Sequence, residues 1–200
     1  MNEFLRIILP LYLLAFFLVA FVWRSYLVWK RTGINPYVAG QEDNAINFIE
    51  GVYPLPLMLL AAVTIAFAFF PTLYPYATPI VWLEHSGGKI VGLLMLGIAL
   101  VWTATAQMQM GQSWRIGIDE QRPTELVNRG LFTISRNPIF VGMRLALWGF
   151  FLILPNALTL LAVVLGDVLM QIQVRLEEEF LRRSHGASYE EYFRKARRWV

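Results

Sequence analysis

Four long apolar runs alternate with polar segments along this chain. They extend over Phe4–Trp29, Val52–Phe70, Ile90–Ala104 and Ile139–Met170. Apolar runs of this kind predict helices that cross a membrane. The last run contains Pro155 and Asn156, a pair typical of a turn, so it predicts two helices. We therefore expect an all-α integral membrane protein with five transmembrane helices, of which the last two form a short hairpin.

The composition supports a membrane protein and excludes chemistry that depends on cysteine. Of the 200 residues, 57% are hydrophobic and 16% are charged. The charge-free part of the first run, from Ile7 to Trp23, follows Arg6 but is long and is itself followed by Arg24, Lys30 and Arg31, which favours a retained anchor over a cleaved signal peptide. The chain has no cysteine, so disulfides, a thiolate nucleophile and cysteine-ligated metals are excluded.

The basic residues predict the orientation in the membrane. With the N-terminus outside, five spans place residues 30–50, 106–138 and 175–200 in the cytoplasm. All of the 17 lysines and arginines then lie at the cytoplasmic side except Arg6, Lys89 and Arg144. The positive-inside rule selects this orientation, in the inner (cell) membrane of a bacterium or archaeon. Because topology explains the basic residues, nucleic-acid binding is not expected.

We expect a single membrane domain with two parts. Residues 1–106 supply three transmembrane helices and their loops, and residues 107–200 form a core with a C-terminal helix. Residues 32–50 are predicted to be a polar loop, to which no role is assigned. Residues 107–136 form a longer segment than a connection between two helices usually requires. Within them Trp114 and Arg115 are typical of an anchor at the membrane interface.

Two charged residues, Arg144 and Asp167, fall inside the last apolar run. An ionised side chain there is costly unless it is paired or hydrated. Both residues are equally far along the chain from the predicted turn, so a hairpin brings them to one depth. They are expected either to form an ion pair that fixes the hairpin or to line a substrate cavity. Gln171 and Gln173 favour some hydration at the inner end of this helix.

Three consecutive carboxylates, Glu177, Glu178 and Glu179, follow the last apolar run. One interpretation is a solvated continuation of the helix, in which Arg182 and Arg183 compensate the charges four residues away. The other interpretation is that one carboxylate binds a cationic or hydroxyl-bearing ligand. The sequence pattern leaves both open.

From Gly111 to the C-terminus the chain resembles a superfamily of membrane methyltransferases. The shared elements occur in order: residues 111–115, residues 125–132, residues 136–142, a helical hairpin, and Glu177-Glu178 followed by Gly186, Tyr189 and Tyr192. Isoprenylcysteine carboxyl methyltransferases and phospholipid methyltransferases make up this superfamily. The resemblance covers almost half of the chain.

The resemblance implies that S-adenosylmethionine is the methyl donor and binds in a cytoplasmic pocket under the terminal hairpin. Matched position by position, the implied cofactor-binding residues are Thr124, Glu125, Leu126, Val127, Phe132, Asn137, Pro138, Ile139, Phe140, Glu177 and Glu178. Candidates for binding the methyl acceptor are Arg144, Gln173 and Arg175. No residue is assigned a catalytic role.

Three positions depart from the superfamily pattern. Asn137 stands where the superfamily has a histidine. Asparagine can still form hydrogen bonds, but it does not titrate near neutral pH. Phe140 replaces a tyrosine and lacks its hydroxyl. Gln173 replaces an arginine that serves the substrate carboxylate in the carboxyl methyltransferases. Arg175 cannot take the place of that arginine, because two residues along a helix rotate the side chain by about 200° around the helix axis. A carboxylate substrate is therefore in doubt.

The expected function is methyl transfer to a lipophilic or amphiphilic acceptor, such as a lipid or prenylated molecule, that enters from the bilayer. Transfer from a sulfonium needs alignment and exclusion of water more than acid–base chemistry. Two alternatives stay open: a membrane reductase of the sterol type that uses NADPH, and a non-catalytic scaffold. A metal site is not expected, since His85 and His185 are predicted to lie at opposite faces of the membrane.

Overall fold

The computed structural model describes residues 1–33, 45–115 and 125–200. These residues form a bundle of helices. The first helix continues through a π-helical segment, Leu18–Trp23, into the second. The α-helices are α1 (Asn2–Phe17), α2 (Arg24–Thr32), α3 (Ala45–Val52), α4 (Leu55–Phe69), α5 (Ser86–Met110), α6 (Pro138–Ile153), α7 (Ala157–His185) and α8 (Ala187–Lys195).

Four helical stretches are long and apolar enough to cross a membrane. They are Asn2–Thr32, Asn47–Phe69, Ser86–Ser113 and Ala157–His185. The fifth apolar helix, α6, has only 16 residues, fewer than the roughly 20 that a bilayer requires. A fifth span therefore stays a prediction. The other arm of the hairpin, α7, is longer than expected, because the polar residues after Met170 continue the helix to His185.

The outer surface of the bundle is apolar along these stretches. Ile7, Met58 and Leu94 are each more than 60% exposed, which a protein in water would avoid over so many helices. Leu9 and Phe150 instead pack in a central core between the helices. An apolar surface around an apolar core is what a bilayer accommodates, and the chain is an integral membrane protein.

Helices α5 and α6 pack through glycines. A Cβ atom at Gly92 would lie 2.6 Å from the carbonyl oxygen of Gly149, and one at Gly149 would lie 2.8 Å from Leu96 Cδ2. Small residues let membrane helices approach until their backbones touch. This contact fixes α6, whose first turn lies at the functional site described below.

We expect the Gly92→Ala variant to be less stable by about 1–3 kcal/mol, the usual range for overpacking, because a backbone carbonyl cannot move aside as a side chain can. Thermal unfolding in detergent measures the change. Gly97→Ala in the same helix is the matched control, since a Cβ there meets nothing within 4 Å. Equal melting temperatures for the two variants would contradict this packing.

The turn between α6 and α7 forms where Pro155 and Asn156 predicted it. The Asn156 side chain accepts a hydrogen bond from the Thr159 backbone N–H at 3.0 Å, and Thr159 Oγ1 accepts one from the Asn156 backbone N–H. This reciprocal cap starts α7. Arg144 and Asp167 form the predicted ion pair across the hairpin, and the Arg144 guanidinium lies 4.2 Å from the centre of the Trp199 ring.

Two local predictions were wrong. Residues 45–50 were predicted to belong to a polar loop, but they begin α3, whose spacing of apolar residues turns one face inward. Residues 34–44 of that loop lie outside the described residues. Trp114 was interpreted as an anchor at the membrane interface, but it is 3% exposed and packs inside the protein.

Candidate functional site

A cavity of about 220 Å³ lies at the end of the bundle that carries α8. The end of α5, residues 125–140 and the second half of α7 form three of its walls. The π-helical segment and the end of α3 contribute further lining residues. We call it the first cavity.

The first cavity gathers most of the residues that the sequence pointed to. Nine of the implied cofactor-binding residues line it: Glu125, Leu126, Val127, Phe132, Asn137, Pro138, Ile139, Phe140 and Glu177. Glu178 is not among its lining residues, and Thr124 lies outside the described residues. Residues from three separate segments of the chain therefore meet at one place.

Two polar side chains of α7, Gln173 and Glu177, line the first cavity. Gln173 Nε2 donates to Glu177 Oε1 at 3.1 Å. Gln173 Oε1 is buried and has no hydrogen-bond partner among the described residues. A buried acceptor without a partner is costly, so these groups suit a ligand that brings N–H or O–H donors.

The remaining walls are aromatic and aliphatic. Phe132 and Trp114 are buried, and Phe140, Leu126 and Val127 are half-buried. Aromatic faces attract cations and stack on flat rings.

Three carboxylates, of Glu50, Glu125 and Glu177, and two guanidinium groups, of Arg115 and Arg136, also line the first cavity, and Arg136 is paired with Glu178. The carboxylates and the aromatic walls together suit a positively charged ligand that has an aromatic part.

A group of four residues joins the C-terminus to this site. Glu178 accepts hydrogen bonds from Arg136 Nε at 3.1 Å, from Arg198 Nη2 at 2.8 Å and from Asn137 Nδ2 at 3.3 Å. We call Arg136, Asn137, Glu178 and Arg198 the C-terminal latch. One of the two interpretations of the three carboxylates had Arg182 compensate Glu178. In the structure Arg182 instead pairs with Glu190 at 2.5 Å.

Arg136 fixes the latch to the last turn of α8 and to the residue that follows it. Its Nη1 donates to the carbonyl oxygens of Phe193 and Ala196 at 3.1 and 2.5 Å. Its guanidinium also lies 4.0 Å from the centre of the Phe193 ring. Because Arg136 and Asn137 also line the first cavity, the latch forms one of its walls.

Two buried tyrosines of α8 support the latch. Tyr192 Oη donates to the Phe132 carbonyl oxygen at 2.8 Å. Burial, followed by the nearby Glu178 carboxylate, raises the pKa of Tyr189 to about 12. The hydrogen bond to Glu178 likewise raises the pKa of Arg198. At neutral pH both tyrosines are uncharged, so the ionic contacts of the latch are those of Glu178 with Arg136 and Arg198.

Comparison with known proteins identifies the family. Residues 88–188 match the family described as phospholipid methyltransferase. The chain belongs to this family. The match covers just over half of the 200 residues and includes α6, nearly all of α5 and the whole of α7, so it confirms the resemblance drawn from the motifs. A comparison with curated proteins found no match.

In this phospholipid methyltransferase family member a second, apolar cavity adjoins the first. It measures about 360 Å³ and lies between α1, α4, α6 and α7. Four residues line both cavities: Phe21, Glu50, Tyr53 and Met143. The shared residues make the two cavities neighbours, one with polar groups and the other lined almost wholly by hydrocarbon.

The π-helical segment shapes the boundary of the first cavity. Its Ala20 carbonyl oxygen accepts a hydrogen bond from the buried Gln107 Nε2 at 2.7 Å. A π-helix frees carbonyl groups that an α-helix would use internally, and such segments often mark functional sites. Ala20, Phe21 and Gln107 all line the first cavity.

The three candidates for acceptor binding lie at different places in the structure. Gln173 lines the first cavity. Arg144 and Arg175 are among the lining residues of neither cavity. Arg144 pairs with Asp167, and Arg175 is exposed and donates to the Gln171 carbonyl oxygen at 2.6 Å. The roles of all three stay predictions.

Sequence reasoning missed several residues of the site, above all Glu50, Tyr53 and Trp114. Glu50 carried one usable signal, an acidic residue two positions before a long apolar run. Its place in the lining of the first cavity, together with Glu177, depends on contacts between distant segments, which the local pattern does not contain.

Proposed function

We propose that the first cavity binds S-adenosylmethionine and that the protein transfers the methyl group to a lipophilic or amphiphilic acceptor. One observation carries the proposal: nine residues that the superfamily pattern assigns to the donor line one cavity, and that cavity adjoins an apolar one. Membership of the phospholipid methyltransferase family supports the same reaction class.

The residues present fit this donor. Gln173 Oε1, buried and without a partner among the described residues, suits a donor hydrogen of an amino group or a ribose hydroxyl. The Glu177 carboxylate suits a positive charge, and Phe132 and Phe140 suit a flat ring or a sulfonium. S-adenosylmethionine, when bound, would supply a methyl group on a positively charged sulfur.

The protein's contribution would be positioning and exclusion of water. Glu177 and Gln173 would hold the donor, and the aromatic walls would keep the reacting atoms dry. Asn137 replaces the superfamily histidine and donates to Glu178 at 3.3 Å. Its proposed role is therefore to fix the latch rather than to move a proton.

The second cavity supports an acceptor with a hydrocarbon part. Its lining is almost entirely apolar, and burying a CH₂ group contributes roughly 0.8 kcal/mol. A lipid or prenylated molecule could lie there with its head group toward the first cavity. We propose further that this end of the bundle faces the cytoplasm, the orientation that the basic residues favour.

The test is to incubate the purified protein with isotopically labelled S-adenosylmethionine and a lipid extract and to analyse the lipids by mass spectrometry. We expect a labelled methyl group in one lipid class. A thermal-shift comparison with NADPH serves as control. Stabilisation by NADPH alone would contradict the proposal and favour the reductase, and a folded protein that responds to neither compound would favour the scaffold.

A further inference from the structure

A buried arginine begins α2, in the part of the chain that precedes residues 88–188, which match the family. Arg24 is 6% exposed and belongs to the stretch Asn2–Thr32, which is long and apolar enough to cross a membrane. A charged side chain in such a stretch is costly, and those that occur usually face the inside of the bundle and serve a function. A role for Arg24 is therefore expected.

The guanidinium of Arg24 is bonded to the turn that ends α5. Its Nη2 donates to the carbonyl oxygen of Gly111, the first residue after that helix. Its Nε is buried and has no hydrogen-bond partner among the described residues. No carboxylate of those residues forms an ion pair with it either. Burying a charge with so few partners contributes little to stability, so the bond to Gly111 fixes a position more than it stabilises the fold.

The turn at Gly111 is held at two points by the first helix. The backbone of Gly111 has a φ of +57°, a conformation that favours glycine. One helical turn earlier in α5, the buried Gln107 donates to the Ala20 carbonyl oxygen of the π-helical segment at 2.7 Å. The bonds from Arg24 and to Ala20 together fix the end of α5 against the N-terminal helices.

The residues directly after Gly111 form part of the wall of the first cavity. Ser113 and Trp114 both line it, and Trp114 is 3% exposed. Because Trp114 follows the turn so closely, a shift of the turn would move the indole ring. Among aromatic side chains, the indole attracts a cation most strongly.

We propose that Arg24 is a positioning residue of the donor site: its bond to the Gly111 carbonyl oxygen fixes the turn that presents Trp114 to the first cavity, and this raises the affinity for S-adenosylmethionine. The inference rests on the proposed function, and it adds to the donor site a residue from outside the matched part of the chain. Arg24 is not among the lining residues of the first cavity, so its effect passes through the turn.

The first test is calorimetric titration of S-adenosylmethionine into the full chain in detergent. Arg24→Met removes the guanidinium and keeps an unbranched side chain. We expect the donor Kd to rise about tenfold, which corresponds to the loss of one hydrogen bond from a charged group. Arg31→Met is the matched control, since it makes the same change at an exposed position of α2.

Thermal unfolding without donor separates positioning from a structural role. Gly111 is only half-buried, so water can replace the guanidinium at its carbonyl oxygen. We expect the melting temperature of Arg24→Met to stay within about 3 °C of the wild type. A merely structural role predicts the reverse, a large loss of stability with unchanged donor affinity.

Two glycine variants test the turn without changing Arg24. Gly111→Ala places a Cβ where φ is +57°, and Gly33→Ala places one where φ is +69°. Neither Cβ meets an atom within 4 Å, so both variants strain the backbone without crowding a neighbour. We expect Gly111→Ala to raise the donor Kd at least as much as Arg24→Met does, and Gly33→Ala to bind the donor like the wild type. If Arg24→Met does not fold, this pair decides.

A double-mutant cycle tests whether the effect passes through Trp114. In a Trp114→Leu chain, Arg24→Met should raise the donor Kd only about twofold or less, because the ring that it positions is already absent. The inference is overturned if Arg24→Met binds the donor like Arg31→Met, if its effect is undiminished in the Trp114→Leu chain, or if Gly111→Ala binds like Gly33→Ala. A folded wild type that binds no donor counts instead against the proposed function.

Discussion

Glu178→Ala is expected to lower the free energy of unfolding by about 3–5 kcal/mol, the usual effect of removing one partner from a buried ion pair. The side chains of Glu178 and Arg136 are only 6% and 8% exposed. Without Glu178 the Arg136 guanidinium keeps its two carbonyl partners but loses the opposing charge. The Arg198 side chain loses its acceptor, and Asn137 keeps only the Arg198 carbonyl oxygen. The C-terminal latch should therefore open, and α8 should separate from the first cavity.

Denaturant or thermal unfolding in detergent measures this loss. Glu179→Ala is the matched control, because it removes an exposed carboxylate from the adjacent position of α7. Limited proteolysis provides a second readout, since an open latch exposes the chain after Lys195. A Glu178→Ala variant as stable and as resistant to protease as Glu179→Ala would show that the latch does not hold the C-terminus.

Glu177→Gln is expected to weaken binding of S-adenosylmethionine by about 10- to 100-fold, which corresponds to the loss of a charge-assisted hydrogen bond. Glu177 lines the first cavity and accepts a hydrogen bond from Gln173. Glutamine has almost the same shape, so the cavity should keep its volume while one negative charge disappears. The change in affinity then reports on charge rather than on packing.

Glu179→Gln again provides the control, with the same chemical change outside the cavity. We expect the melting temperatures of both variants to stay close to that of the wild type in the absence of donor. Unchanged donor affinity in Glu177→Gln would remove this residue from the donor site and leave Gln173 and the aromatic walls to account for binding.

Much of the fold could be predicted from the chain because its helices follow from local patterns. The apolar runs predicted the helices α1, α4, α5, α6 and α7. Pro155 and Asn156 placed the turn, and the equal depths of Arg144 and Asp167 predicted their ion pair. Motif order pointed to residues from separate segments that do line one cavity.

The remaining features depend on contacts between distant parts of the chain. Glu178 is bound by Arg136, 42 positions away, rather than by the arginine four residues along its own helix. Trp114 looked like a residue of the membrane interface because its neighbour is charged, but tertiary packing buries it. Glu50 acquires its place only when α3 meets α7. Local periodicity contains no information on such contacts.

Titration of S-adenosylmethionine into the full chain in detergent, followed by calorimetry, tests the central claim most directly. With the first cavity as donor site, the heat should saturate at one donor per chain, and Glu177→Gln should need a much higher concentration to saturate. A protein that stays folded by thermal unfolding and gives no saturable heat would contradict the claim.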